Sequence, residues 1–231
     1  MRKGKRVIRP RLVGRVVVGA LTIIVILLLL TLLTRAPIFS IKNLTITGDS
    51  SGKVSAKVVS LTKGHNLLLL DTDKLRAEIL KNPEVRSVTF DKTLPSSLTV
   101  RVTFRDPALA WQGTNGTYLV DDQGFIFQSG SGAGLVKVTS PDTLKIGQRV
   151  NPDALSKILV LIRLNESITT VVIQPDLYQA TLPGGTAAFF DPAGNLTSQS
   201  QALQLILVKA KIDGKLPRTV DLRFPKPVVT Y

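Results

Sequence analysis

A chain of 231 residues with 44% apolar side chains has room for one or two folded units with real cores beside a short accessory segment. It contains no cysteine, which excludes disulfide support and thiol chemistry. The formal charge of +14 is concentrated at one end: Arg2, Lys3, Lys5, Arg6, Arg9, Arg11 and Arg15 place seven cations and no acid in the first fifteen positions, leaving 23 basic against 16 acidic groups beyond them.

Such an arm points to nucleic acid or to a membrane flank, and the segment after it decides between them. Val16 to Thr34 is nineteen residues without a charge. As a helix it covers roughly 28 Å, close to the hydrocarbon thickness of a bilayer. With seven cations before it and only Arg35 directly after, the positive-inside rule keeps the N-terminus in the cytoplasm and places the rest of the chain outside. A cleaved signal peptide has similar ingredients. The run exceeds the roughly 7–15 residues of a signal core, however, and Pro37 after Ala36 makes a poor cleavage site. The reading is a single transmembrane signal anchor over residues 16–34. The basic tail, residues 1–15, then needs no nucleic acid, because anionic lipid headgroups suffice as its partner.

Phe39 to Ile46 reads as a strand with a change of phase at Lys42-Asn43, which suggests a bulge. A helix follows, capped by Ser50 or Ser51, with Val54, Val58 and Leu61 on one face and a stop near Gly64. Asp71 or Thr72 caps a second helix, on which Leu75 and Ile79 share a face and which Asn82-Pro83 ends. Val85–Phe90 and Leu98–Phe104 are strands joined by a turn at Leu94-Pro95-Ser96. In the latter, Leu98, Val100, Val102 and Phe104 alternate with Thr99, Arg101 and Thr103, as a half-buried strand requires. The order β-α-α-β-β lays two helices on one face of a small sheet, an α+β arrangement. Leu67 to Leu70, bracketed by His65-Asn66 and Asp71, is far too short to cross lipid and is expected to fill the space where both helices meet the sheet.

Residues 39–111 resemble a POTRA domain of the kind found in FtsQ/DivIB bacterial cell-division proteins. The resemblance is carried by Gly64, Asn66 and Leu67 before the second helix, Asn82-Pro83-Glu84-Val85, Leu94-Pro95, and Arg105-Asp106-Pro107 followed by Ala108 and Ala110. Leu119 to Phe127 is similar to that family's hairpin beyond the POTRA domain, and Thr219 to Phe224 to its closing strand. The expected division is a POTRA domain over 36–106, an FtsQ/DivIB-type β domain over 107–224 and a C-terminal tail over 225–231.

The C-terminal half carries strand-like pieces at 117–120, 124–128, 134–138, 169–173, 178–182 and 186–190, with two helices. One runs from Pro152 to Leu164 with Asn151 as cap. The other covers 198–213, with an apolar stripe of Ala202, Leu203, Ile206, Leu207 and Ala210 expected to cover its own sheet and with Lys209 and Lys211 on a solvated face. This half reads as mixed α/β with mainly antiparallel strands.

Chemistry-bearing motifs are weak. Gly48 to Val54 has three residues between its glycines and no hydroxyl after Lys53, so it misses the phosphate-binding loop. Ser50-x-x-Lys53 lacks the companion elements of penicillin-binding enzymes. His65 is the only histidine, which leaves no histidine cluster and no triad with partners to spare. Asp71 with Asp73 sits at a helix start and Asp121 with Asp122 in a turn, both places that favour aspartate for backbone reasons. Gly130 to Gly134 reads as a flexible loop. Four Asn-x-Ser/Thr triplets, beginning at Asn43, Asn115, Asn165 and Asn195, have meaning only in a eukaryotic secretory pathway. The expectation is no enzyme and no cofactor.

What remains is interaction. An open sheet edge accepts an extended segment as another strand. The resemblance implies that the last strands recruit a bitopic FtsB/DivIC-type partner this way, together with an FtsL-type partner, at the division septum. The residues implicated are Arg218, Val220, Leu222, Arg223 and Phe224, with Val228, Val229 and Tyr231 as apolar additions. The alternation of Val220, Leu222 and Phe224 suits a core-facing strand equally well, and both readings stand. Pro225 and Pro227 lack the amide donor, so pairing beyond Phe224 is expected to be interrupted. The rival functions are a POTRA-bearing export or chaperone component and an anchored envelope hydrolase.

Overall fold

The computed structural model describes residues 18–28, 31, 37–49 and 52–231. Within the expected anchor, residues 18–28 are helical and expose their side chains. No helix among the described residues is long and apolar enough to cross a membrane. The basic tail and both ends of the expected span lie outside the described residues, as do the candidate caps Ser50 and Ser51. The chain forms two compact units, one reaching to Lys81 and including Ser87–Thr103, the other built from Asn82–Arg86 and Phe104–Tyr231.

The first unit holds β1 (Asn43–Thr47), α1 (Lys53–Thr62), α2 (Thr72–Ile79), β2 (Val85–Thr93) and β3 (Ser97–Phe104), with sheet order β1-β3-β2. β1 runs parallel to β3, Leu44 opposite Leu98 and Ile46 opposite Val100. The expected strand start at Phe39 is corrected. Pro37–Phe39 is a 3-10 turn, Ser40 bridges Asn66, and the Leu67 N–H donates to the Phe39 carbonyl at 2.8 Å. The phase change at Lys42-Asn43 therefore marks where the sheet begins and is not a bulge. Gly52, in a left-handed conformation, occupies the cap position of α1. The acceptor there is the Asp49 carboxylate, which takes the Gly52 and Ser55 N–H groups at 3.0 and 2.6 Å. Asp71 caps α2 as expected, accepting from the Asp73 and Lys74 amides.

Val54, Val58, Leu75, Ile79, Leu98, Val100 and Val102 are buried, so both helices and one face of β3 supply the core. The leucine tetrad divides: Leu67 and Leu70 are buried, whereas Leu68 and Leu69 are exposed, Leu69 by 65%. Four consecutive residues in turns cannot all point inward, and only the two ends of this run do. Lys57 joins the helices by donating to the Glu78 carbonyl at 2.9 Å and pairing with its carboxylate at 3.0 Å. Gly48 has φ +88°, and a Cβ there would lie 2.0 Å from the Val102 carbonyl oxygen. Only glycine fits where β1 turns away from β3.

The second unit is a nine-stranded sheet in the order β12-β11-β10-β9-β8-β7-β4-β5-β6. Its strands are β4 (Leu109–Gly113), β5 (Gly116–Val120), β6 (Ile126–Ser129), β7 (Val136–Thr139), β8 (Thr170–Gln174), β9 (Leu177–Thr181), β10 (Ala187–Phe190), β11 (Thr219–Asp221) and β12 (Val228–Thr230). Antiparallel neighbours outnumber parallel ones, which are β4 with β7, β7 with β8 and β10 with β11. α3 (Pro152–Leu164) begins at Asn151, whose side chain takes two first-turn amides. α4 (Leu196–Ile212) begins two residues before the expected start, because Asn195 caps it by accepting from Ser198. The expected stripe packs as read: Leu203 is buried in the core and Ala202, Ile206 and Leu207 lie against it.

One core runs along the helix-covered face, from Leu109, Trp111 and Val138 through Val171 and Tyr178 to Phe190, Val220 and Leu222. Trp111 is fully buried and its indole N–H donates to the Ser140 hydroxyl at 3.0 Å, which satisfies the one polar atom a core tryptophan brings. Asp121, also fully buried, accepts from Arg105 at 2.6 Å and from the Gln123 and Phe125 amides. The Arg105 guanidinium stacks on the Phe125 ring at 3.9 Å. A buried carboxylate is tolerated only when paired and hydrogen-bonded in this way.

Candidate partner-binding edge

Past α4 the chain passes Pro217, whose carbonyl accepts the Thr186 hydroxyl at 2.6 Å, and enters β11 parallel to β10 in the register Ala188 opposite Val220. The Leu222 N–H donates to the Phe189 carbonyl at 2.9 Å. Asp221 then reverses the chain. Its carboxylate accepts the Arg223 N–H at 3.1 Å and the Arg223 guanidinium at 3.0 and 2.6 Å, an aspartate-initiated turn. These side-chain hydrogen bonds hold the Asp221 carboxyl below the usual carboxylate range, partial burial opposing them, and hold the Arg223 guanidinium above its ordinary value. Pro225 and Pro227 forbid continued pairing, and the chain returns as β12, with Val229 opposite Val220 and Val228 opposite Asp221.

This corrects two expectations. Both sides of β11 are taken by its own chain, on one side by β10 and on the other by β12, so the vacant rim is not at 218–224. Residues 225–231 are not a tail either, since Val228–Thr230 form the last strand. Among the described residues no strand or bridge lies beyond β12. The opposite edge, β6, is partly covered: the Ile126 N–H donates to the Gln148 carbonyl, the Gly147 N–H donates to the Ile126 carbonyl, and Phe125 bridges Arg149.

The implicated side chains separate into two groups. Val220 and Leu222 lie in the core, so the core-facing reading describes them. Arg218, Arg223, Phe224, Val228 and Tyr231 are exposed, with Phe224 and Val228 at 54% and Tyr231 at 50%. Val229 packs inward against the core. Arg223 lies 5.8 Å from the Phe224 ring and Lys215 lies 4.9 Å from the Tyr231 ring, so cations steady both aromatic groups. Beside them is a cleft of about 310 Å³ walled by Leu222, Phe224, Pro225 and Pro227 on one side and by Ser198 and Ala202 of α4 on the other. The edge thus offers unpaired backbone, two exposed aromatic rings and an adjoining recess. Sequence reasoning missed β12 itself; the β-branched Val228-Val229-Thr230 directly after a proline turn was the available signal.

A POTRA domain is the class that the first unit defines: the family described as POTRA domain, FtsQ-type, matches residues 39–105. Similarity extends beyond it. A cell division protein FtsQ of Corynebacterium glutamicum is 26% identical over 184 residues, 74% of this chain and 80% of that protein. One from Mycobacteroides abscessus is 31% identical over 137 residues, 54% of this chain and 44% of its own length. A cell division protein DivIB of Clostridium acetobutylicum is 26% identical over 128 residues, 53% of this chain and 51% of its own. Residues 39–105 thus form a POTRA domain of the FtsQ type, and the chain beyond it is similar to cell division proteins named FtsQ and DivIB.

Proposed function

We propose that this chain is a non-catalytic, single-pass scaffold of the bacterial divisome. It holds FtsB/DivIC- and FtsL-type partners together and helps to control septal wall synthesis. Relatives named as cell division proteins support the division role. The observation that carries the docking mode is the β12 edge, which stands at the end of the sheet with Phe224, Val228 and Tyr231 exposed around it. A partner segment adds antiparallel or parallel to β12, its main chain supplying affinity and its side chains reading Phe224 and the adjoining cleft.

In the arrangement proposed, residues 1–15 lie on anionic headgroups of the cytoplasmic leaflet and 16–34 cross the inner membrane, with the N-terminus inside. The exposed apolar helix of residues 18–28 supports that crossing. The POTRA domain (36–106) and the β domain (107–224), completed by 225–231, stand outside. The test is binding of an FtsB/DivIC-type peptide to the detergent-solubilised chain and to its Phe224→Lys variant. Loss of at least about tenfold, equivalent to roughly 1.4 kcal/mol, is expected; unchanged affinity removes this edge from the account.

A further inference from the structure

A second cleft, of about 340 Å³, lies on the large unit and shares no residue with the β12 edge. It opens where β7, β8 and β10 end, between Pro141-Asp142, Gln174-Pro175 and Pro192-Ala193, with Asn151, Asp153 and Lys157 of α3 on its remaining side. β7 and β8 are parallel, and β9 separates β8 from β10 through two antiparallel pairings, so all three strands deliver their C-terminal ends here. Crevices outside such strand ends are where α/β sheets bind ligands.

The chemistry of the lining selects the ligand. Tyr178 is buried to 4% exposure and its phenol lines the cleft, yet its hydroxyl has no hydrogen-bond partner among the described residues. Burial raises its pKa, Lys157 opposing and Asp153 reinforcing the shift, and both of those residues line the same cleft. An anion is disfavoured. Pro152 has no N–H, the Asp153 and Ala154 amides are taken by the Asn151 side chain at 2.9 and 3.3 Å, and the Leu155 amide by the Asn151 carbonyl at 2.9 Å. The one cation, Lys157, is held by Asp153 at 2.7 Å. The Asp142 carboxylate has no ion pair among the described residues, while its backbone is fixed by bonds to Thr114 and Ser140. The cleft therefore keeps one unneutralised carboxylate, one unused hydroxyl and hydrocarbon walls.

We propose that this cleft binds a lysine or arginine side chain presented by an extended peptide, its cation between the Asp142 carboxylate and the Tyr178 hydroxyl and its stem against Pro141, Pro175 and Pro192. Exposed Asn151, Gln174 and Ala193 at the rim leave space for the peptide main chain. Asp142 is exposed and Tyr178 buried, and a charge-assisted hydrogen bond to the carboxylate supplies more than a neutral one.

The experiment is saturation-transfer NMR on the full chain in non-ionic detergent. The probes are capped tripeptides with central lysine, arginine, norleucine or glutamate, together with n-butylamine. Lysine and arginine peptides are expected to bind through their side-chain methylenes, with norleucine, glutamate and the free amine markedly weaker. Asp142→Asn and Tyr178→Phe should each weaken binding about tenfold, the loss of one charge-assisted contact. Neither replaced group bonds to the rest of the fold through its side chain, so both variants are expected to fold. Equal binding by norleucine, preference for glutamate, or indifference to both substitutions would overturn the proposal. Equal binding by n-butylamine would remove the peptide from it. Loss of partner binding at Phe224 leaves these outcomes unaffected.

Discussion

The two units treat their sheet edges in opposite ways. In the first, the outward residues of β1 are Asn43, Thr45 and Thr47, and β2 ends on exposed Asp91, Lys92 and Thr93. Polar and charged residues blunt an edge against unwanted pairing. In the second, β12 is flanked by Phe224, Val228 and Tyr231, all at least half exposed. Vacant backbone is common to both units; what distinguishes the β12 edge, the one proposed for docking, is the apolar side chains kept beside it.

Two phenylalanines sharpen that contrast most. Phe190 is fully buried in the large core and Phe224 is mostly exposed. Phe190→Ala should destabilise by about 3–5 kcal/mol in urea unfolding followed by Trp111 fluorescence. Phe224→Ala should stay within about 0.5 kcal/mol, as exposed substitutions do, and yet weaken partner binding. The leucine tetrad offers the same comparison within the first unit. Leu67→Ala should cost about 2–5 kcal/mol and Leu69→Ala within about 0.5 kcal/mol, measured by circular dichroism.

Two glycines give a smaller difference. Gly48→Ala meets a backbone oxygen as well as an unfavourable φ, whereas Gly64, at φ +79°, has nothing near its absent Cβ. The first should destabilise at the upper end of the roughly 1–3 kcal/mol expected for strained backbone and the second at the lower end. Equal losses would mean that the Val102 carbonyl yields freely.

The smallest effect is the acid response of the turn before β12. Because Arg223 depresses the Asp221 pKa, the contribution of this pair is complete above the unfolded carboxylate value of about 3.9 and disappears as pH falls through the lower folded value. The unfolding midpoint of the wild type should therefore fall more steeply below about pH 4 than that of Asp221→Asn, with parallel profiles between about pH 5 and 8.

Much of the fold was legible because its signals are local. Pro152 after Asn151 marks α3 to the residue, and unbroken alternation marks β3. The parts that were not legible depend on distant partners. β4 pairs in parallel with β7 across a long separation, and Trp111 finds Ser140 only in the folded sheet. β11 and β12 are three residues each, too short for period-two patterning to register. For the candidate site, the residue types around Phe224 could be read, but not which of them face the core. That depends on which strand occupies each side of β11.

Amide hydrogen exchange on the full chain, with and without an FtsB/DivIC-type peptide, separates docking at β12 from docking at any other edge. New protection of the Val229 amide, whose N–H points away from β11, is expected on peptide addition and is abolished by Phe224→Lys. Protection appearing instead along β1, β2 or β6, with β12 exchanging as before, would contradict it.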